Sequence, residues 1–370
     1  MRFPGFNEPW QRKTLGEVAE FSKGSGISKE QRSVNGLPCI LYGELYTTYN
    51  NEVISDVVSK TELNPADLVK SKANDVIIPS SGESAEDIAT ARCVTQDYVL
   101  LGGDLNIIRP KAHVDGRFMC YQLNGKRKFD IAKIAQGVSV VHLYGNDLKR
   151  LDVMLPQLTE QQQIADFIVL LDQRIALQNK IIEDLRQLKS ALYHQVFSSI
   201  KGKLVALKTV ADIIKGNQIN GTELSESGPY YVMNGGIVPS GYYDECNTKA
   251  NTISISEGGN SCGYVQYNNT PFWSGGHCYT LNLKSDIVLR YLFHFLKYHE
   301  QDIRALRIGS GLPNIQKKDL ERFQILLPNQ EKQRYCANIF DCIEAKETID
   351  VALLNVYQSQ KQFLLQQMFI

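Results

Sequence analysis

The stretch from Thr159 to Phe197 contains neither proline nor glycine. Apolar residues recur along it at alternating steps of four and three: Ile164, Ile168, Leu171, Ile175, Ile182, Leu185, Leu192 and Val196. Gln178 and Lys189 interrupt the row. That spacing predicts one apolar stripe on a long helix, as in a coiled-coil seam. At about 1.5 Å per residue the helix reaches roughly 60 Å, too long for one small core to cover. A stripe of this length needs a partner of similar length, which narrows the folds open to the chain.

The partner lies in a repeat. At an offset of 192 residues, Leu15, Val18, Ala19, Lys23 and Gly24 fall on Leu207, Val210, Ala211, Lys215 and Gly216, and Gly36, Ile40 and Gly43 fall on Gly228, Val232 and Gly235. Further on the offset is 172: Gly137, Asp147, Leu148, Arg150, Leu155 and Pro156 fall on Gly309, Asp319, Leu320, Arg322, Leu327 and Pro328. The second copy is thus shorter by 20 residues (192 − 172), lost from its middle. A second stretch without proline or glycine, Gln330–Phe369, follows it. Tyr335, Ile339, Cys342, Ile349, Leu353, Val356, Phe363 and Ile370 are expected as its seam, with Lys346, Gln360 and Gln367 as interruptions.

Within each copy, short apolar segments bounded by Gly, Ser, Asn or Pro predict strands joined by loops. They are GLPCILYG, NDVIIPSSGE and DLNIIRP in the first copy, and GPYYVMNGG, NTISISEGG and HCYTLNL in the second. Helices are expected around Gly116–Leu123 and Ile131–Ala135, with counterparts at Ile287–Tyr298 and Ile303–Leu306. Each copy closes on a strand ending at proline, LDVMLP or FQILLP. The expected fold class is α/β (α+β). Two similar globular domains (1–156 and 201–328) are separated by two long antiparallel coiled-coil helices (157–200 and 329–370) in a pseudo-twofold repeat.

Lys+Arg and Asp+Glu balance at 40 each, so net charge does not select a partner. No apolar run reaches membrane-spanning length, and MRFPGFNEPW lacks a signal-peptide apolar region. The eight cysteines form no CxxC pair, which suits reduced thiols in the cytoplasm. Cys246, Cys262, Cys278 and His277 lack the closely spaced pairs of a structural zinc site, so no metal is expected. There is no GxxxxGK[ST], GxSxG or HExxH, and Asn64-Pro65 continues as Ala-Asp; no catalytic residues are assigned.

The segments Gly137–Phe167 (GVSVVHLYGNDLKRLDVMLPQLTEQQQIADF) and Gly309–Phe340 (GSGLPNIQKKDLERFQILLPNQEKQRYCANIF) resemble the closing signature of target recognition domains in the specificity subunit of type I restriction–modification systems. Two departures stand out: Gly137-Val138-Ser139 where Gly-Ser or Gly-Thr is usual, and Lys332 in the place of Glu160. The resemblance implies a non-catalytic subunit that reads a bipartite double-stranded DNA target, one half per domain. It implies two methyltransferase subunits as partners, and motor–endonuclease subunits through the complex. S-adenosylmethionine, ATP and Mg would belong to those partners, with no cofactor bound by this chain. A protein adaptor spacing two protein partners is the alternative.

DNA contacts are expected on basic residues for phosphates and on Gly-rich polar loops for base edges. Phosphate candidates are Lys23, Lys126, Arg127 and Lys128 in the first domain, and Lys215, Arg304 and Arg307 in the second. Base-reading candidates in the first domain are Ser80, Ser81, Glu83, Asp104, Ser139 and His142. Those in the second are Glu257, Asn260, His277, Ser310 and Asn314.

Overall fold

The structure is a computed structural model and describes residues 2–369 apart from Ser285, Ser310 and Leu312. It divides into two compact units, residues 1–180 with 352–370, and residues 181–351. Each unit holds one α/β domain and parts of both long helices, Leu158–Ser199 and Gln330–Gln367.

In the first unit the expected strands form. β1 (Gln11–Thr14) leads through a single helical turn, Leu15–Val18, into β2 (Ala19–Lys23). β3 (Val53–Ile54), β4 (Asp75–Pro79), β5 (Arg92–Val94), β6 (Leu105–Pro110) and β7 (Asp152–Leu155) follow. The main sheet has the order β2-β6-β4-β5-β3, and β1 pairs separately with β7. β4 is buried on both faces, which explains its unbroken run of apolar residues. A smaller four-stranded sheet carries Leu37–Ile40. The helices Gly116–Asn124 and Lys128–Ile134 cover the main sheet's core face.

The second unit repeats the plan with β8 (Lys203–Ala206), β9 (Ala211–Lys215), β10 (Thr252–Ser256), β11 (Val265–Asn268), β12 (Cys278–Leu283) and β13 (Gln324–Leu327). Its main sheet has the order β9-β12-β10-β11, and β8 pairs with β13. Registers agree with the sequence repeat. Gln11 faces Leu155 and Lys203 faces Leu327, positions 192 apart at one strand and 172 apart at the other.

The long helices pair antiparallel inside each unit. In the first, Lys361 contacts Asp172 at 2.6 Å and Arg174 lies over the ring of Tyr357. In the second, Arg186 meets Glu347 at 2.8 Å and Lys189 meets Glu344 at 2.9 Å, so rising numbers on one helix meet falling numbers on the other. On the first helix Ile164, Ile168, Leu171 and Ile182 are buried as expected, and Gln178 is buried among them. The seam expected on the second helix is wrong in phase at most positions, although Ile339 and Leu353 are half-buried and Ile339 packs on the second core. Tyr335, Cys342, Ile349, Val356 and Phe363 are exposed, and Ile370 lies outside the described residues. The buried row is Gln333, Cys336, Ala337, Phe340, Asp350, Leu364 and Met368. Its charged member, Asp350, is paired with Lys346 at 2.7 Å, and Gln333 is polar, so an apolar count overlooks this face.

Each domain core is closed by the end of a long helix. Leu364, Met368 and Phe369 enter the first core, where Phe369 meets Phe118 at 5.1 Å. Tyr193 and Phe197 enter the second and pack on Phe340, with ring centroids 4.3 and 5.7 Å away. Burying such side chains stabilises by about 1.5–3 kcal/mol each. The glutamine five residues past the closing proline is a clamp in both copies. Gln161 Oε1 accepts from Asp115 N at 3.0 Å and its Nε2 donates to Pro156 O at 2.8 Å. Gln333 does the same with Val288 N and Pro328 O, both at 2.9 Å. Glu160, by contrast, holds the N-terminal arm through Arg2 and Trp10, while Lys332 is exposed.

Candidate nucleic-acid interface

In the first domain the three expected loops meet at one end of the central strands β4 and β6. Ser80 N donates to Asp104 O at 2.7 Å, and Leu143 N donates to Ser80 O at 3.0 Å. Ser81–Gly82 pairs with Val141–His142, and Gln136 and His142 exchange backbone hydrogen bonds across the turn that starts at Gly137. Gly137 has φ +127° and its counterpart Gly309 has φ +102°, so the repeat conserves a left-handed position in both copies. The Lys-Gly pair ending β2 or β9 also has a physical cause. A Cβ on Gly24 would lie 1.9 Å from Gly102 O, and one on Gly216 would lie 2.2 Å from Gly275 O. Only glycine lets the strand end pass this close beneath the neighbouring loop.

The second domain gathers the same three loops. Glu257 N donates to His277 O at 2.9 Å, Gly259 N to Pro313 O at 3.0 Å and Ile315 N to Glu257 O at 2.8 Å. Ile308 and Asn314 bridge the turn as Gln136 and His142 do. Arg304 Nη2 reaches Asn260 O at 3.4 Å, which ties the basic helix end to the loop cluster.

The candidates separate into groups. Lys23, Glu83, Asp104, Ser139 and His142 are exposed around the first loop cluster, with Ser81 half-buried. Asn260, His277, Arg304, Arg307 and Asn314 are exposed around the second. Ser80 is buried, and its backbone joins the loops. Glu257 is also buried. Its Oε1 accepts from Lys215 Nζ at 2.7 Å and from Tyr279 OH at 2.9 Å, and His277 Nδ1 stands 3.6 Å from Oε2. Burial, and then the Glu257 carboxylate, keep the Tyr279 phenol protonated. Glu257 therefore orders the loop for its exposed neighbours, Lys215 among them. Lys126, Arg127 and Lys128 are not brought to the cluster. They precede and open the helix Lys128–Ile134 at the end away from Gly137, next to Gly125, which lies against Leu365 O. Ser310 lies outside the described residues.

Sequence reading missed Tyr42, Tyr46, Lys29 and Arg32. With Glu83 and Asp104 they line a cavity of about 810 Å³ in the first domain. No spacing or motif marks them. In the second domain a cavity of about 340 Å³ is lined by Lys215, Asn217, Asn247 and Lys249, among others. Of the second domain's tyrosines, Tyr230 and Tyr231 pair with Tyr243 and Tyr242 across strands, and all of them are half-buried.

Among the described residues one group of side chains could hold a metal, His294 with Asp341 and Glu344. Arg290 already supplies the cation there, with Nη2 2.6 Å from Glu344 and in contact with Asp341. Burial lowers His294, against the hydrogen bond that its Nε2 donates to Asp341 at 2.8 Å, and so favours the neutral imidazole. Burial raises Asp341 and Glu344, but Arg290 and His294 outweigh it at the first and Lys189 leads at the second, leaving both lowered. No helix among the described residues is long and apolar enough to cross a membrane.

The model of the type I restriction modification DNA specificity domain matches residues 7–187 and again 201–355. A protein of Mycoplasma pneumoniae described as a type I specificity subunit is 23% identical over 317 residues, 80% of this chain and 79% of its own. The MjaVIII type I restriction enzyme specificity subunit of Methanocaldococcus jannaschii is 22% identical, covering 91% of this chain and 86% of its own. The crystal structure of a type I restriction-modification S subunit from Mycoplasma genitalium superposes with a TM-score of 0.74. It is 19% identical and covers 100% of this chain and 97% of its own, a likeness of fold.

Proposed function

The chain belongs to the type I restriction–modification DNA specificity family, and on that premise we propose that it reads a bipartite double-stranded DNA sequence, one half per domain. The recognition domains are residues 1–156 and 201–328, joined by the helices of residues 157–200 and 329–370. The observation that carries this reading is the convergence of three Gly-rich loops at the same strand ends in both copies. The frame repeats while the loop residues differ, which is the arrangement two different half-sites require.

Glycine lets the loop backbone approach a groove, and exposed polar side chains then reach base edges. Asn260 and Asn314 suit adenine, and Glu83 and Asp104 suit the cytosine amino group. Arg304, Arg307 and Lys23 fix the register on phosphates. The subunit itself performs no chemistry. Two adenine-methyltransferase subunits supply S-adenosylmethionine chemistry, and motor–endonuclease subunits supply ATP- and Mg-dependent cleavage. Acting on chromosomal DNA places the complex in the cytoplasm. Support for the methyltransferase footing comes from rows of exposed apolar residues on the long helices. Phe167, Leu170, Leu177 and Leu188 line the first, and Tyr335, Ile349, Val356 and Phe363 line the second. Large exposed apolar rows mark interaction surfaces.

Duplex binding by the methyltransferase complex, titrated with salt, tests the reading. Replacing Arg304 and Arg307 by Ala should shallow the slope of log affinity against log salt by about one per lost phosphate contact. Unchanged affinity and slope would remove these residues from the interface. Absence of any duplex binding would favour a protein adaptor.

A further inference from the structure

The two main sheets differ at one edge. In the first unit β3 adds in parallel to β5, and β5 is buried throughout. In the second unit the sheet stops at β11, where Gln266 and Tyr267 are half-exposed. The segment that carries β3 belongs to the stretch the second copy has lost.

The strands β5 and β11 correspond residue by residue. Ala91 exchanges hydrogen bonds with the Asn124 side chain at 2.8 and 2.9 Å. Val265 N donates to Glu300 Oε2 at 2.9 Å, and Val265 O accepts from Lys297 Nζ at 3.0 Å. These groups point away from the sheet, so the backbone two and four residues on points outward too. In the first unit those outward donors are satisfied. Cys93 N donates to Glu52 O at 2.8 Å and Thr95 N donates to Ile54 O at 3.2 Å. Their counterparts are Tyr267 and Asn269, beside which no strand lies among the described residues. A side chain repeats the pattern. Arg92 donates to Tyr49 O, on the segment leading into β3, at 2.8 and 3.2 Å. At the matching position Gln266 Oε1 is buried without a hydrogen-bond partner. A groove of about 570 Å³ runs along β11, lined by Gln266, Tyr267, Asn269, Phe293, Lys297 and Thr348, among others.

We propose that this groove takes an extended segment of the methyltransferase subunit, which adds to β11 as a parallel strand in the place β3 fills in the first unit. The proposal rests on the reading of the chain as a specificity subunit. Thr348 on the groove wall adjoins Ile349 of the exposed apolar row, so the groove continues that footing. Register sets the chemistry of the segment. The residue in the place of half-buried Val53 faces Tyr267 and Phe293 and is apolar. In the first unit Ile54 joins Ile77 and Val94 in a small core. Their counterparts are Ser254 and Asn268, which hydrogen-bond each other at 2.9 Å, so the residue in the place of Ile54 is polar. The main chain supplies affinity and these two side chains supply selectivity, as in β-strand addition elsewhere.

Amide hydrogen exchange on the full chain, alone and with the methyltransferase subunit, tests this. Exchange at Tyr267 and Asn269 should slow by about tenfold or more in the complex, as for amides newly held in a ladder. Asn269→Pro removes one outward donor, which edge positions tolerate. It should weaken assembly about three- to tenfold, the worth of one main-chain hydrogen bond, and leave the free chain's melting unchanged. Equal exchange in an assembled complex, or full-strength assembly of Asn269→Pro, would overturn the proposal. So would protection that rises with the concentration of this chain alone, because the occupant would then be a second copy. If the methyltransferase fails to assemble at all, the specificity-subunit reading falls, and this proposal falls with it.

Discussion

The two units are one frame built with two kinds of joint. In the first, Lys361 bridges Glu52 and Asp172, and Tyr121 donates to Asp172 at 2.6 Å. At equivalent positions in the second, Lys189 meets Glu344 and is joined by Arg290, Asp341, His294 and Tyr193. The first joint is a more buried cluster with one cation. The second is a more exposed network with two cations and a buried histidine. The comparison teaches that the repeat preserves where domain and helices are tied together while leaving the chemistry of the tie free to change.

The helix ends that close the cores should matter most, and equally. Phe369→Ala and Phe197→Ala should each cost about 3–5 kcal/mol and release exchange protection in their own unit. Loss of protection in the other unit would show that the two fold as one cooperative body. The joints should differ. Lys361→Met strands two buried carboxylates and should cost about 3–5 kcal/mol. Lys189→Met leaves Arg290 in place beside a half-exposed carboxylate and should cost about 1 kcal/mol or less. Equal losses in denaturant melts would erase the distinction.

Acid gives the smallest contrast. Burial, ahead of its other neighbours, holds His294 below its ordinary value of 6.5 in the folded state. Its contribution is present above that pH and is lost as pH falls through the folded value, by up to about 1.4 kcal/mol per pH unit. Asp172 is raised, first by burial and then by Glu52, so the first joint loses nothing by this route in the same range. Melting from pH 7.5 towards about pH 5.5 should therefore weaken the second unit first, and His294→Gln should flatten that response. An equal acid response in both units would contradict it.

Much of this plan was legible in the chain. Strand segments stood between turn residues, and the offsets of 192 and 172 agree with the registers of β1 with β7 and of β8 with β13. The seam of the first long helix was readable because it is aliphatic. That of the second was not, because its buried face carries Glu344, Asp350 and Lys361, and partners distant in sequence neutralise two of these. Glycines marked the loops that the structure gathers at the strand ends. Nothing local showed that Glu257 would be held by Lys215, 42 residues earlier, or that Lys126–Lys128 would open a helix away from the loops. The two-residue strand β3 was invisible for the same reason, since it exists only through its pairing with β5.

The central claim is that each domain reads its own half of one target. Exchanging the second domain's loops, residues 257–260, 274–277 and 309–314, for those of a relative, then mapping methylated adenines across a genome, tests it most directly. The account predicts that one half of the methylated sequence changes while the other half and the spacer stay the same. A change in both halves, or in neither, would contradict it.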